Sequence, residues 1–128
     1  GQNWEAIMFA AKQKVDNLIL AVDDNGQQID GSTKSIMGDY PLEDKFRAFG
    51  WDVYSMNGNN MQEIMDTMQA VKQNTGKGKP IVVVMKTEMG MGVDFMMGSH
   101  KWHGIAPSDD DLQKALAQLP ETLGDYAS

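Results

Sequence analysis

Apolar and polar positions along the chain alternate between two periods. Trp4, Ile7, Met8, Ala11 and Val15 recur at helical spacing and predict an amphipathic helix over 3–15. Leu18-Ile19-Leu20-Ala21-Val22 is a continuous apolar run bounded by turn residues, which predicts a fully buried strand of a parallel sheet. Residues 42–49 predict a short helix closed by Gly50, and Asp52 to Met56 a second strand closed by Asn57-Gly58-Asn59-Asn60. Met61, Ile64, Met65, Met68 and Val71 predict a further helix, with Asn60 as its N-cap and Glu63 three residues on. Pro80 leads into Ile81-Val82-Val83-Val84-Met85, a third buried strand. A Gly-rich, Met-rich connection fills 86–107. Ser108 then caps a last helix carrying Leu112, Ala115, Leu116 and Leu119, stopped by Pro120.

Strands alternating with helices give βαβ units and a parallel sheet, so the expected fold is three-layer α/β, with residues 1–128 as a single domain. Three strong strands make a small sheet, expected to be part of a larger one. The chain opens on Gly1-Gln2-Asn3-Trp4, inside a helical pattern and without Met, as though cut from something longer.

Composition narrows the partners. A net charge of -7 argues against nucleic acid and anionic membrane, both of which need clustered Lys and Arg. The absence of cysteine excludes disulfides and thiolate metal sites and fits a reducing compartment. No apolar run approaches the roughly 20 residues that span a bilayer, so the expected location is cytoplasmic.

Two constellations fall where open α/β sheets bind ligands, just past the carboxyl ends of strands. The first is Asp23-Asp24-Asn25-Gly26-Gln27-Gln28-Ile29-Asp30-Gly31. Magnesium takes oxygen ligands and is shared between a few protein groups, water and phosphate. Asn25 could supply a side-chain amide oxygen and Gln27 a backbone carbonyl, with a carboxylate from another loop. The same residues also serve as a plain turn, since Asn and Asp tolerate the left-handed region. The second runs from Lys86-Thr87-Glu88-Met89-Gly90-Met91-Gly92 to Ser99-His100-Lys101-Trp102-His103-Gly104. Gly90 and Gly92 permit close approach of backbone to a ligand, and His103 could contact a phosphate or move a proton. A His beside a Trp can equally be structural. Of eleven methionines, five fall between Met85 and Met97. On the 61–68 helix they read as core filler; in the connection they suit a surface that packs on something outside this chain.

Taken in order, Trp4-Glu5-Ala6, Leu18-Ile19, Asp23-Asp24-Asn25-Gly26, Ile29-Asp30-Gly31, Phe49-Gly50-Trp51, Lys79-Pro80, Gly90-Met91-Gly92 and Trp102-His103-Gly104 with Ala106-Pro107 resemble the thiamine-diphosphate-binding domain of transketolase, especially the form split into two chains. The resemblance covers essentially the whole chain and implies a partial thiamine-diphosphate-binding fold. It implies magnesium held by Asn25 and the Gln27 carbonyl, Ile29 beside the thiazolium ring, and His103 reaching the diphosphate and substrate hydroxyls. Met89 takes a diphosphate-contact position at which many relatives carry Lys, and Glu5 matches a glutamate near the interface between chains. The implied reaction moves a two-carbon ketol unit from a ketose phosphate to an aldose phosphate. The family's magnesium aspartate, in a Gly-Asp-Gly motif, would lie upstream of Gly1, and its cofactor-activating Glu in another domain. The partners implied are therefore sugar phosphates, the remainder of the enzyme and a further copy in a homo-oligomer, and the isolated chain is expected to be inactive. Competing readings are a receiver-type signalling domain, suggested by Asp23-Asp24 with Lys86 but lacking an Asp at the end of the middle strand; a non-catalytic module of the same fold; and a deoxyxylulose phosphate synthase.

Overall fold

The computed structural model describes residues 1–38 and 41–119. Its elements run α1 (Gln2–Lys12), β1 (Ile19–Asp24), β2 (Gln27–Gln28), β3 (Gly31–Ser32), α2 (Thr33–Met37), α3 (Leu42–Ala48), β4 (Asp52–Asn57), α4 (Met61–Asn74), β5 (Ile81–Lys86), a 3-10 turn (His100–His103) and α5 (Asp109–Leu116).

β1, β5 and β4 form one parallel sheet in that spatial order, with Ile19 and Asp52 both level with Ile81. The crossover from β1 to β4 steps one way across the sheet and that from β4 to β5 steps back. Right-handed connections therefore put their helices on opposite faces. On one face α1, α3 and the turn after α3 bring Ile7, Ala10, Phe46 and Trp51 against Val82 and Val84. On the other, α4 brings Val71, Ile64 and Met68 against Ile81 and Val83. The three-layer α/β expectation holds. No helix among the described residues is long and apolar enough to cross a membrane.

The run at 18–22 is not fully buried. Among the described residues β1 has a partner on one side alone, and Ala21 is exposed; Leu18 precedes the strand and is 38% exposed. An apolar groove of about 540 Å³ opens along β1 between α1 and α3, lined by Trp4, Ile7, Leu20 and Phe46 among others. A pure apolar run specifies a strand but cannot distinguish a central position from an edge.

Two helix ends share one device. α3 stops at Phe49, and Gly50 follows at φ +88°, with Gly50 N–H on the Arg47 carbonyl and Trp51 N–H on the Phe46 carbonyl. That turn lays Trp51 against Phe46, ring centroids 5.7 Å apart, and aims its indole N–H at the Ile7 carbonyl, 3.0 Å away. α1 ends the same way, three residues before the expected Val15: Lys14 sits at φ +53° and Val15 N–H reaches the Ala10 carbonyl. Val15 still packs on the core, which explains its helix-like spacing.

Other boundaries are corrected similarly. The hairpin β2–β3 and α2, capped by the Ser32 hydroxyl, were not expected. α4 runs on to Asn74; Asn60 caps it as anticipated, but the Glu63 carboxylate accepts from Asn57 N–H instead of closing back on Asn60. Met61 and Met65 are 69% and 61% exposed, so they are not core filler. Ser108 caps α5, in a reciprocal box with Asp111, and the helix ends at Leu116; the stop expected at Pro120 lies outside the described residues.

The two helix-end residues give opposite predictions. An added Cβ at Gly50 would meet nothing within 4 Å, so Gly50→Ala carries backbone strain alone and should lower unfolding free energy by about 1–2 kcal/mol. Lys14→Gly relieves that strain and should raise it by up to about 1 kcal/mol. Urea titrations of both variants test this; a neutral Gly50→Ala contradicts it.

Candidate functional site at the carboxyl ends of the strands

The parallel register carries three strand ends to one edge. Asp24 of β1, Asn57 of β4 and Lys86 of β5 lie level there, and the loops that follow them carry every candidate residue except Glu5. Glu5 is exposed on α1.

Asn25 opens the first loop. Its side-chain oxygen accepts the Gln27 N–H at 2.9 Å, so the turn reading of this segment is realised. An amide oxygen has a second lone pair, which leaves Asn25 able to donate to a cation as well. Gln27 begins β2, pairing with Ser32 of β3, and both Asn25 and Gln27 are half-buried. Ile29 stands at the hairpin tip, an apolar side chain 72% exposed. The 3-10 turn lies beside β2, which brings the exposed imidazole of His103 to the same end of the molecule as Asn25 and Gln27.

Within that turn Trp102, not His103, is the structural residue. Its indole N–H donates to the Phe95 carbonyl at 3.1 Å and its ring meets Phe95 edge-on. Met89 is half-buried in the turn after β5. The glycines there serve the loop itself. A Cβ on Gly90, at φ +76°, would stand 2.6 Å from the Met96 Cβ, so the packing of the loop itself already requires glycine there. Gly92, at φ +96°, is held to glycine mainly by its backbone conformation, since a Cβ there would meet only the tip of the Leu119 side chain at 3.0 Å. Met91 and Met97 remain exposed on the outside of the connection.

A polar clasp lies under these loops. The Lys86 ammonium is paired with the Asp24 carboxylate and stands 3.5 Å from Glu43, which in turn accepts the Ser55 hydroxyl at 3.1 Å. The Thr87 hydroxyl donates to Asp23. In the sequence Asp23-Asp24 and Lys86-Thr87 open the two candidate constellations, but their pairing with each other is suggested there only by the likeness of Asp23-Asp24 and Lys86 to receiver domains. The usable signal was two apolar runs of five, one ending in Asp-Asp and the other in Lys-Thr.

Next to this clasp a groove of about 510 Å³ is lined by Asn57, Asn59, Glu63 and Glu88. Its polar groups are already engaged: Asn59 accepts the Glu88 N–H, and Glu88 accepts the Gly98 N–H. For a magnesium ion the fit is partial. Asn25 and the Gln27 carbonyl are suitable oxygen donors, but among the described residues no three His, Cys, Asp or Glu converge to complete a shell.

The clasp titrates. Glu43 is held below its ordinary value, first by its own backbone N–H at the start of α3 and then, against desolvation, by the Lys86 charge. Lys86 is raised, first by its hydrogen bond to Asp24. A lowered acid stabilises above its unfolded value and loses that contribution as pH falls; a raised base does the reverse. Unfolding free energy should therefore fall below about pH 4.5 and again above about pH 10.5. Lys86→Met should abolish the alkaline loss from this pair and part of the acid loss, since the backbone bond to Glu43 remains. Identical pH profiles for the two proteins would contradict the clasp.

Residues 1–122 match the family described as transketolase, thiamine diphosphate binding domain. The chain is 40% identical over 121 residues to one of the chains of an apulose-4-phosphate transketolase from Actinobacillus succinogenes, covering 94% of this chain and 43% of that protein. It is 40% identical over 119 residues to a 6-deoxy-6-sulfo-D-fructose transketolase subunit of a Clostridium species, covering 93% and 42%. The chain thus spans about two fifths of the length of these relatives. Among solved structures, a transketolase from Campylobacter jejuni superposes with a TM-score of 0.83 at 31% identity, over 92% of this chain and 18% of that one.

Proposed function

The chain belongs to the thiamine diphosphate-binding domain family of transketolase, and from that membership we propose that it supplies part of the cofactor site of a ketol-transferring enzyme. The observation that carries this reading is the meeting, at one sheet edge, of the Asn25–Gln27 loop with the His103 turn.

In this reading the bound cofactor is thiamine diphosphate, which supplies a nucleophilic carbon and an electron sink for breaking and forming the bond beside a ketone. Magnesium is held by the Asn25 amide oxygen and the Gln27 carbonyl, hard donors of the kind the ion prefers. The rest of its shell comes from outside this chain. Ile29 gives the thiazolium ring an apolar surface, and the exposure of that side chain supports an occupant at the hairpin tip. The His103 imidazole reaches the diphosphate and the hydroxyls of the sugar, where it binds, orients and holds a proton. Met89 contributes packing at the diphosphate end and no charge.

The substrates are a ketose phosphate donor and an aldose phosphate acceptor. Two relatives are named for sugars that carry a phosphate or a sulfo group, which supports an anionic sugar class. The remaining ligands come from the rest of the domain and from a partner chain, in a homo-oligomeric assembly. The 128 residues alone are inactive.

Asn25→Ala in the complete enzyme should weaken magnesium-dependent thiamine diphosphate binding by at least about tenfold while the far-ultraviolet spectrum stays unchanged. Unaltered cofactor affinity, measured by isothermal titration, removes Asn25 from the site. A ketol-transfer rate from the isolated chain equal to that of the complete enzyme refutes the division of the site.

A further inference from the structure

We propose that Lys86 and Thr87 are positioning residues for the cofactor site: their clasp on Asp24 and Asp23 fixes the end of β1, and so the place from which Asn25 reaches its cation. The inference rests on the reading of Asn25 given above.

Asp23 and Asp24 are adjacent carboxylates immediately before Asn25. Their side chains leave β1 on opposite faces, and left free each would swing independently and compete for a divalent cation brought to the loop. Each instead has its own partner from β5 or the residue after it. Asp24 lies level with Lys86 across the β1–β5 pairing, and its carboxylate holds the Lys86 ammonium. Asp23 accepts the Thr87 hydroxyl. The Thr87 N–H reaches the Asp24 carbonyl at 3.4 Å, extending the ladder one step past the strands.

Lys86 does more than join two strands. Through Glu43 at 3.5 Å, and the Ser55 hydroxyl on Glu43 at 3.1 Å, it ties β1 to α3 and β4. A single ammonium therefore references the start of the Asn25 loop to every strand of the sheet. Because Asp24 is already occupied by a cation of the protein, the loop offers magnesium an amide oxygen in place of a carboxylate. This arrangement sets both the position and the charge of the ligand set.

The test uses the complete enzyme with thiamine diphosphate and either magnesium or calcium. Lys86→Met should weaken magnesium-supported cofactor binding roughly tenfold and shift the magnesium-to-calcium preference toward calcium, which accepts the freed carboxylate and looser geometry. Lys86→Arg should restore most of the affinity, and Thr87→Val, which removes one hydroxyl, should produce a smaller loss in the same direction. KM for the sugar phosphate at saturating cofactor should not move. Wild-type affinity and wild-type metal preference in a folded Lys86→Met protein overturn the clasp. If Lys86→Met does not fold, the same two readouts on Thr87→Val decide, and an unchanged result there overturns it equally. A wild-type enzyme that binds no thiamine diphosphate would refute the underlying reading instead.

Discussion

The structure depends on the burial of β5 from both sides. Ile81 to Val84 are wholly enclosed, with alternate side chains committed to opposite helix layers. Removing such side chains from water is worth about 1.5–3 kcal/mol each, so this strand is the strongest organising feature of so short a chain. Its backbone pairs on both edges, which locks β1 and β4 in register with it and therefore with each other. A slip of one residue would send every valine to the wrong layer.

That register is what turns a core into a site. Because β1 and β4 are fixed against the same strand, Asp24, Asn57 and Lys86 arrive together at the carboxyl edge. The sheet ends there in charge, and the charges are matched across strands before the loops begin. Beyond them the chain changes character: Ile29 and His103 stand in the open, on short elements that the strand ends hold in place. The Met-rich connection is built on its own account. Gly90 makes room for Met96, Trp102 bonds back to Phe95, and Gln118 at the far side of α5 bonds to Asp94 at 2.8 Å. Among the described residues the platform is bonded within itself while Ile29 and His103 stand exposed at its tips, an arrangement that suits the proposed shared site.

Much of this was legible in the residues. The β-branched run 81–85 and the capped helix at 61 have strong local signals, and the strand-end loops followed from topology. What failed did so for non-local reasons. The apolar run 18–22 could not reveal that, among the described residues, β1 is paired on one side. Val15 belongs to the core but not to the helix, because Lys14 takes a left-handed conformation that its residue type does not announce. Asn25, Gln27 and His103 are candidates from their chemistry at the strand ends, and the family resemblance adds Ile29 and their particular roles; the clasp beneath them appears only once the register of β1 and β5 is known.

The central claim is that Asn25 and Gln27 present oxygen to a cation at this sheet edge. Its most direct test is the crystal structure of the complete enzyme with thiamine diphosphate and manganese in place of magnesium, with the metal located by anomalous scattering. The account predicts the Asn25 amide oxygen and the Gln27 carbonyl about 2.1–2.2 Å from the metal, with Asp24 still on Lys86. A metal held by Asp23 or Asp24, with Asn25 turned away, would contradict it.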